Sequence, residues 1–305
     1  MQTLLFKLNY RVVLYATTEM FASQFKAADG CSDNGVSCVP DKLQHTSMRF
    51  ASLGSGSKGN ALLVEAGTTR VLIDCGFGPR NLAQRCARLG VDADTLDAII
   101  VTHEHSDHIG GAFACAKRYG AKLCMTNGTY AAIAQAKSGI ESMGLNLCLI
   151  DSHAAFAIGD LEIQPFPVPH DAREPVQFVL SDGCRRLGIL TDLGFATPHV
   201  IGCLHGCDAL VLECNHDAEM LAQGNYPPSL KQRIGGRFGH LDNASAAALL
   251  AQLDRSRLQY LIAAHLSEHN NTPAHAQQAL ADVMGCAPEW IGIADQELGF
   301  DWRAL

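Results

Sequence analysis

The sequence predicts an α+β protein built from two mixed β-sheets packed face to face, with helices outside. Three observations carry this expectation. Short apolar runs come in groups, not in strict alternation with helical segments, which argues against a barrel or a doubly wound parallel sheet. Several runs end in a polar or ionisable residue, as at Asp74, Asp192, Glu213 and His265. The chain of 305 residues is 48% hydrophobic and 18% charged, enough to bury a large core.

The folded domain is expected to span residues 48–305. Residues 1–47 show no sustained hydrophobic period and are rich in Ser, Asp, Gly and Lys. They read as a disordered extension, or as the product of a start codon placed upstream of Met48. They lack the apolar core and small-residue cleavage site of a signal peptide.

From Arg49 the pattern is regular. Residues 50–53 read as a strand, 54–60 as a glycine-rich turn, and 61–65 with 70–74 as a hairpin-like pair. The turn lacks the spacing of a phosphate loop, although its amides could face an anion. A helix over 79–89 has proline in its first turn and Gly90 after its end. A strand over 96–102 then feeds a helix over 108–119, stopped by Gly120. Strands follow at 122–126, 147–150, 161–168, 176–180, 186–191, 209–214 and 258–264. Helices are expected at 130–137, 197–204, 218–221, 229–234, 243–253 and 273–284, with Asp242 capping the helix at 243.

Net charge is −8, which argues against indiscriminate coating of nucleic acid but leaves room for a local basic groove. No apolar run approaches the length needed to cross a bilayer. The twelve cysteines are scattered, with no Cys-x-x-Cys pair. They read as buried free thiols of a reducing, cytoplasmic protein. The segment Cys203-Leu204-His205-Gly206-Cys207 is too weak a pattern to count as a metal site.

The chemistry concentrates in His103-Glu104-His105-Ser106-Asp107-His108, which leaves the end of an apolar run. Imidazole nitrogen and carboxylate oxygen are good ligands for zinc, manganese or iron. His103 and His105 are two residues apart and can share one ion, while Asp107 and His108 can reach a second. Asp74, His170, Asp192 and His265 all stand at or just beyond strand ends, and so are expected on the same edge of the sandwich.

This pattern resembles the metallo-β-lactamase fold superfamily over essentially all of residues 48–305. The resemblance implies a four-layer αβ/βα sandwich with two divalent ions per chain, zinc foremost. It implies that His103, His105 and His170 hold one ion, that Asp107, His108 and His265 hold the other, and that Asp192 bridges them. Asp74 would orient the ligand loop from behind, and Asp107 counts among the catalytic residues. Paired ions lower the pKa of a shared water and supply a hydrolytic nucleophile. No cysteine stands among these ligands, which argues against the lactam-cleaving branch. His105 stands where the oxygen-reducing diiron branch usually has Glu.

The substrate class is read from a second constellation. Glu213 ends an apolar strand, and His240 precedes an alanine-rich helix. This resembles the phosphodiesterase branch that includes ribonuclease Z, where such a histidine assists departure of the leaving oxygen. Between the two, Lys231, Arg233 and Arg237 form a basic stretch suited to phosphate. Ser57, Asn60 and Asn243 complete the expected substrate contacts. Closer matches are Gly54-Ser55-Gly56-Ser57-Lys58-Gly59-Asn60, Asp74-Cys75-Gly76-Phe77, Val168-Pro169-His170-Asp171, Leu212-Glu213-Cys214-Asn215-His216-Asp217, Gly239-His240-Leu241 and His265-Leu266-Ser267. These resemble the YycJ/WalJ-type hydrolases. That family implies a cytoplasmic nuclease acting from 5′ ends of double-stranded DNA. There is no room for a large inserted nucleic-acid domain, so the grip is small or is shared with a second subunit of a homodimer. The alternatives are a small-molecule (cyclic) phosphodiesterase, an acyl or thioester hydrolase, and a non-enzymatic module that kept its metals.

Overall fold

The computed structural model describes residues 48–136 and 139–305, and the expected extension at 1–47 lies outside them. The first strands are β1 (Arg49–Gly54), β2 (Ala61–Ala66), β3 (Thr69–Ile73), β4 (Ala98–Ile100), β5 (Lys122–Thr126) and β6 (Leu147–Ile150). Then follow β7 (Phe156–Ile158), β8 (Leu161–Pro167), β9 (Val176–Ser181), β10 (Arg186–Leu190), β11 (Ala209–Glu213), β12 (Tyr260–Ala264) and β13 (Gly292–Ile293). The last strand, β14 (Phe300–Ala304), returns to pair with β1. Two seven-stranded sheets result, ordered β14-β1-β2-β3-β4-β5-β6 and β13-β12-β11-β10-β9-β8-β7.

Each sheet has an antiparallel half and a parallel half. In the first, β1, β2 and β3 pair antiparallel and β3 through β6 parallel. In the second, β7 through β10 are antiparallel and β10 through β13 parallel. Successive side chains of a strand point to opposite faces. Thus Val71 and Ile73 enter the core between the sheets, while Leu72 packs under the outer helices. Val211 likewise faces inward, and Leu210 and Leu212 face helices Asn243–Gln252 and Pro273–Met284. Because both faces are covered, the parallel strands read as continuous apolar runs. The sandwich and its outer helices are therefore as expected.

The parallel register positions the site. Leu190 pairs with Leu212, and Glu213 with Ala264. Asp192, Glu213 and His265 therefore leave the second sheet at one edge. Leu72 pairs with Ile99, so Asp74 and the loop after β4 leave the first sheet together.

Local differences have physical causes. The helix expected over 108–119 is two helices, Ser106–Ile109 and Ala112–Tyr119. Gly110 and Gly111 separate them, and a Cβ on Gly111 would lie 1.8 Å from the Phe77 carbonyl oxygen. The chain can pass that close only without a side chain. Strand β4 is shorter than 96–102 because the Thr102 amide turns away to donate to the Asp74 carboxylate at 2.8 Å. The helix expected at 130–137 starts three residues earlier, as Asn127–Ala136. Strands β7, β13 and β14 were not anticipated: they are short, and β14 is recruited by pairing with a strand at the other end of the domain.

The described cysteines are free, and Cys75, Cys86, Cys115, Cys124, Cys207 and Cys214 are buried. Burial pushes the Cys86 and Cys124 thiols up to about 12, away from reactivity at neutral pH. Cys31 and Cys38 lie outside the described residues. No helix among the described residues is long and apolar enough to cross a membrane.

Candidate metal centre

The two sheets place their ionisable residues against each other. The ligand atoms of His103, His105 and His170 lie within 4.8 Å of one another, as do those of Asp107, His108 and His265. His103, His108 and Asp192 form a third such group, so Asp192 stands where the first two meet. His105 Nδ1 is 3.2 Å from His170 Nε2. Asp107 Oδ2 is 3.3 Å from both His108 Nε2 and His265 Nε2. Asp192 reaches His108 Nε2 at 2.9 Å and His170 Nε2 at 3.8 Å.

Four of the five rings, those of His103, His108, His170 and His265, are held from behind. Asp74 Oδ2 lies 2.7 Å from His108 Nδ1, and Thr102 Oγ1 lies 2.9 Å from His103 Nδ1. His170 Nδ1 donates to the Gly239 carbonyl at 2.9 Å, and Asn215 Nδ2 lies 3.2 Å from His265 Nδ1. These contacts leave the opposite ring nitrogens facing the centre. Backbone strain marks the same spot. Asp74 (φ 60°) and His265 (φ 55°) are the described non-glycine residues in the left-handed region. Non-glycine residues there cost energy and concentrate at functional sites.

The residues fit divalent ions. His103 is fully buried, yet its Nε2 has no hydrogen-bond partner among the described residues, and Asp192 Oδ2, although 2.9 Å from His108 Nε2, finds no donor there because the His108 Nδ1 proton faces Asp74. Orphaned buried polar atoms are rare and costly, and here they converge where an ion would satisfy both. The local field agrees. Burial pulls the His265 imidazole down, but Asp192 and Asp107 outweigh it and raise it to about 9. Burial would raise the Asp192 carboxyl, yet His265 and His108 hold it well below the usual range. At His103, burial and the neighbouring His108 favour the neutral form, which is the ligating form.

A second arrangement adjoins the first. Glu213 is fully buried, and its Oε2 accepts from the amides of Leu193 (2.9 Å) and Leu241 (3.1 Å). Its Oε1 lies 2.7 Å from His240 Nδ1, which is also 3.1 Å from Asp192 Oδ1. Burial lowers the His240 imidazole, but Glu213 and Asp192 outweigh it and push it up to about 10. With Nδ1 held between two carboxylates, Nε2 is the nitrogen left to serve the cleft. That cleft measures about 290 Å³, and its lining includes Asp107, Asp192, His240 and His265.

The expected substrate contacts divide. Ser57 and Arg233 line the cleft. Arg233 Nε is tied to Asp171 Oδ2 at 2.7 Å. Asn60 is buried and supports the ligands instead, its Nδ2 lying 3.2 Å from Asp107 Oδ2 and 3.1 Å from His108 Nε2. Asn243 is buried and pairs with Asn271, behind the wall of the cleft. Lys231 donates to the Ala222 carbonyl, and the Arg237 guanidinium stacks on Phe195. Most amides of the glycine-rich turn are already occupied: Gly56 donates to Asn60, Lys58 to Gln296 and Gly59 to Gly56.

Sequence reasoning assigns no role to several residues at the site. Asp171 Oδ1 lies 3.5 Å from both His105 Nε2 and His170 Nε2. Its signal was adjacency to His170. Tyr226 lines the cleft. Its signal was a lone aromatic between Gly224-Asn225 and Pro227-Pro228. Thr102, Asn215 and the Gly239 carbonyl act through contacts that no spacing rule reveals.

Comparison with known proteins supplies the family. A model of the beta-lactamase superfamily domain matches residues 69–262. The chain is 32% identical over 237 residues to exodeoxyribonuclease YycJ of Bacillus anthracis, covering 78% of this chain and 89% of that protein. It is 30% identical over 253 residues to exodeoxyribonuclease WalJ of Streptococcus pneumoniae, covering 82% and 93%. Among solved structures, the metallo-beta-lactamase fold protein YhfI of Bacillus subtilis superposes with a TM-score of 0.65 at 17% identity, covering 84% of this chain and 99% of that one. By its two-sheet fold, its clustered ligands and these likenesses, the chain belongs to the metallo-β-lactamase superfamily of hydrolases, in its YycJ/WalJ-type group.

Proposed function

We propose that this protein is a dinuclear metal-dependent phosphodiesterase that cleaves nucleic acid, with DNA attacked from the 5′ end as the favoured substrate. The observation that carries this reading is the Glu213–His240 pair, buried behind Asp192 and open to the cleft at one ring nitrogen. The thiolate leaving a thioester has less need of such an acid, whereas the departing alkoxide of a diester needs a proton. The names of the YycJ and WalJ relatives support the same substrate class.

In this reading His103, His105 and His170 would hold one ion, Asp107, His108 and His265 the other, and Asp192 would stand between them. When bound, the ions supply a water of lowered pKa and offset charge on the phosphoryl oxygens. Asp74 keeps His108 in register, and Asn60 steadies Asp107. Arg233, on the rim, meets a phosphate oxygen. His240 gives its Nε2 proton to the departing oxygen, and Glu213 holds the ring and stabilises its cationic form.

Of the three basic residues 231, 233 and 237, Arg233 is the one that lines the cleft. This modest grip supports a second reading, a small cyclic diester as substrate. Metal-reconstituted protein assayed on end-labelled double-stranded DNA, single-stranded DNA, RNA and a cyclic dinucleotide separates the two. Cleavage of the cyclic diester alone would replace the nuclease reading. His240→Ala should lower kcat about a hundredfold or more with metal content unchanged by elemental analysis. His240, Asp192, Glu213 and His265 also cluster within 4.8 Å, so loss of metal in that variant would mark His240 as a ligand and sink the acid assignment.

A further inference from the structure

The cleft is lined mostly by polar residues, yet its lining also includes the apolar surfaces of Tyr226, Ile234 and Leu266. Ions, water and phosphate have no use for an aromatic ring there. A nucleotide does, because it carries a flat apolar base beside each phosphate. Base-aromatic stacking tolerates any base, since every base has a π-face. Tyr226 is also placed independently of substrate. Its ring sits edge-on to His269, with centroids 5.9 Å apart at 78°. Pro227 and Pro228 follow it and restrict the backbone. The Pro227 carbonyl accepts from Leu230 and Lys231, starting the helix Pro228–Ile234 that carries Arg233. Upstream, the Asp217 amide donates to Asn270 at 2.8 Å, fastening the segment to the loop after His265.

We propose that Tyr226 is a base-binding residue: its ring stacks on a nucleobase flanking the scissile phosphate, while Arg233 meets the phosphate. This rests on the phosphodiesterase reading above and deepens it. One short segment then supplies base contact, phosphate contact and, at His240, the leaving-group proton. Specificity is for a nucleotide over a plain diester, with no choice among bases.

The test compares Tyr226→Phe, Tyr226→Leu and Tyr226→Ala with the parent on short oligonucleotides. These differ only by an abasic residue on one or the other side of the scissile bond. Hydrolysis by the metal-loaded protein gives KM and kcat. Fluorescence anisotropy of the same oligonucleotides with the chelator-treated full chain gives binding without turnover. Tyr226→Ala should raise KM about tenfold on the base-bearing oligonucleotide, the scale of one base–aromatic stack, with kcat little changed. On one of the two abasic oligonucleotides it should change nothing. Tyr226→Phe should behave as the parent. Tyr226→Leu keeps apolar bulk without a ring and should match Ala, which covers the case of an Ala variant that melts early. Equal damage on all oligonucleotides, or a Phe variant as impaired as Ala, overturns the assignment. If the parent hydrolyses no oligonucleotide, the nuclease reading fails. The binding arm then decides Tyr226 alone: base-dependent binding lost in the Leu and Ala variants supports it, and binding indifferent to the base overturns it.

Discussion

The floor of the cleft and its wall are built differently. Asp192 and His265 line the floor with the half-buried His105 and Asp107, and His103 and His108 lie beneath it; His103, His108, Asp192 and His265 are each no more than 3% exposed. They stand at the ends of strands from two sheets, and further protein groups hold the three imidazoles from behind. The wall is residues 226–240, a short helix between two loops, with Tyr226, Arg233 and His240 half-buried or exposed. A rigid, dry floor suits chemistry shared across a superfamily. The partly wet wall, on the reading proposed above, is where substrate choice would be made. Damage to the floor should therefore abolish metal and turnover together, while damage to the wall should separate them.

The largest expected effect is at Asp192. Its carboxylate touches both proposed ion sites and His240. Asp192→Asn removes the charge with little change of shape. Metal content should fall, and kcat should drop on the order of a thousandfold, equivalent to about 4 kcal/mol. Full metal occupancy with less than a tenfold loss would show that Asp192 does not join the two sites.

Asp74 tests the floor one contact further out. It is buried, accepts from the Thr102 amide and hydroxyl, and sits 2.7 Å from His108 Nδ1. Asp74→Asn should weaken metal affinity about 10- to 100-fold, the usual range for such a supporting carboxylate. Chelator competition measures this directly. An unchanged affinity with slower turnover would move Asp74 from metal support to catalysis.

Glu213→Gln addresses the junction of floor and wall. Glutamine can still accept from the Leu193 and Leu241 amides, so the fold should survive. Burial lowers His240, and the Glu213 carboxylate is the leading group that raises it to about 10. Removing that charge must lower the pKa of the ring. The acid form is then lost at lower pH, so the alkaline limb of the kcat profile should move toward neutrality, with about a tenfold loss of rate near pH 8. An unmoved limb would mean that His240 is not the acid.

Legibility in the sequence followed the same division. The ligand loop 103–108 was plain because its residues are adjacent and follow an apolar run. Asp74, Asp192, Glu213 and His265 were legible because each ends or adjoins a buried parallel strand, and the register of such strands carries their ends to one edge. The wall was not. Asn60, in the glycine-rich turn, and Asn243, at the start of a helix, are expected as substrate contacts, yet both are buried in hydrogen bonds. Tyr226 was overlooked because a lone aromatic in a turn has no period to betray its partner. Strand β14 exists only through its pairing with β1, which no local window contains.

The smallest effects should resolve the wall residue by residue. Arg233 lines the cleft, and Asp171 holds its guanidinium while sitting against His105 and His170. Lys231 is two residues away on the same helix, but its ammonium caps the Ala222 carbonyl outside the cleft lining. If the wall meets phosphate through Arg233 alone, Arg233→Ala should raise KM for an oligonucleotide several-fold. It should also reduce the slope of log KM against log salt by about one unit, the signature of one lost phosphate contact. Lys231→Ala should leave the slope unchanged and shift the melting temperature only slightly. Equal slopes in the two variants would show that the helix presents a diffuse positive face to the substrate. The cleft would then recognise a polyanion by its field, not by a placed contact.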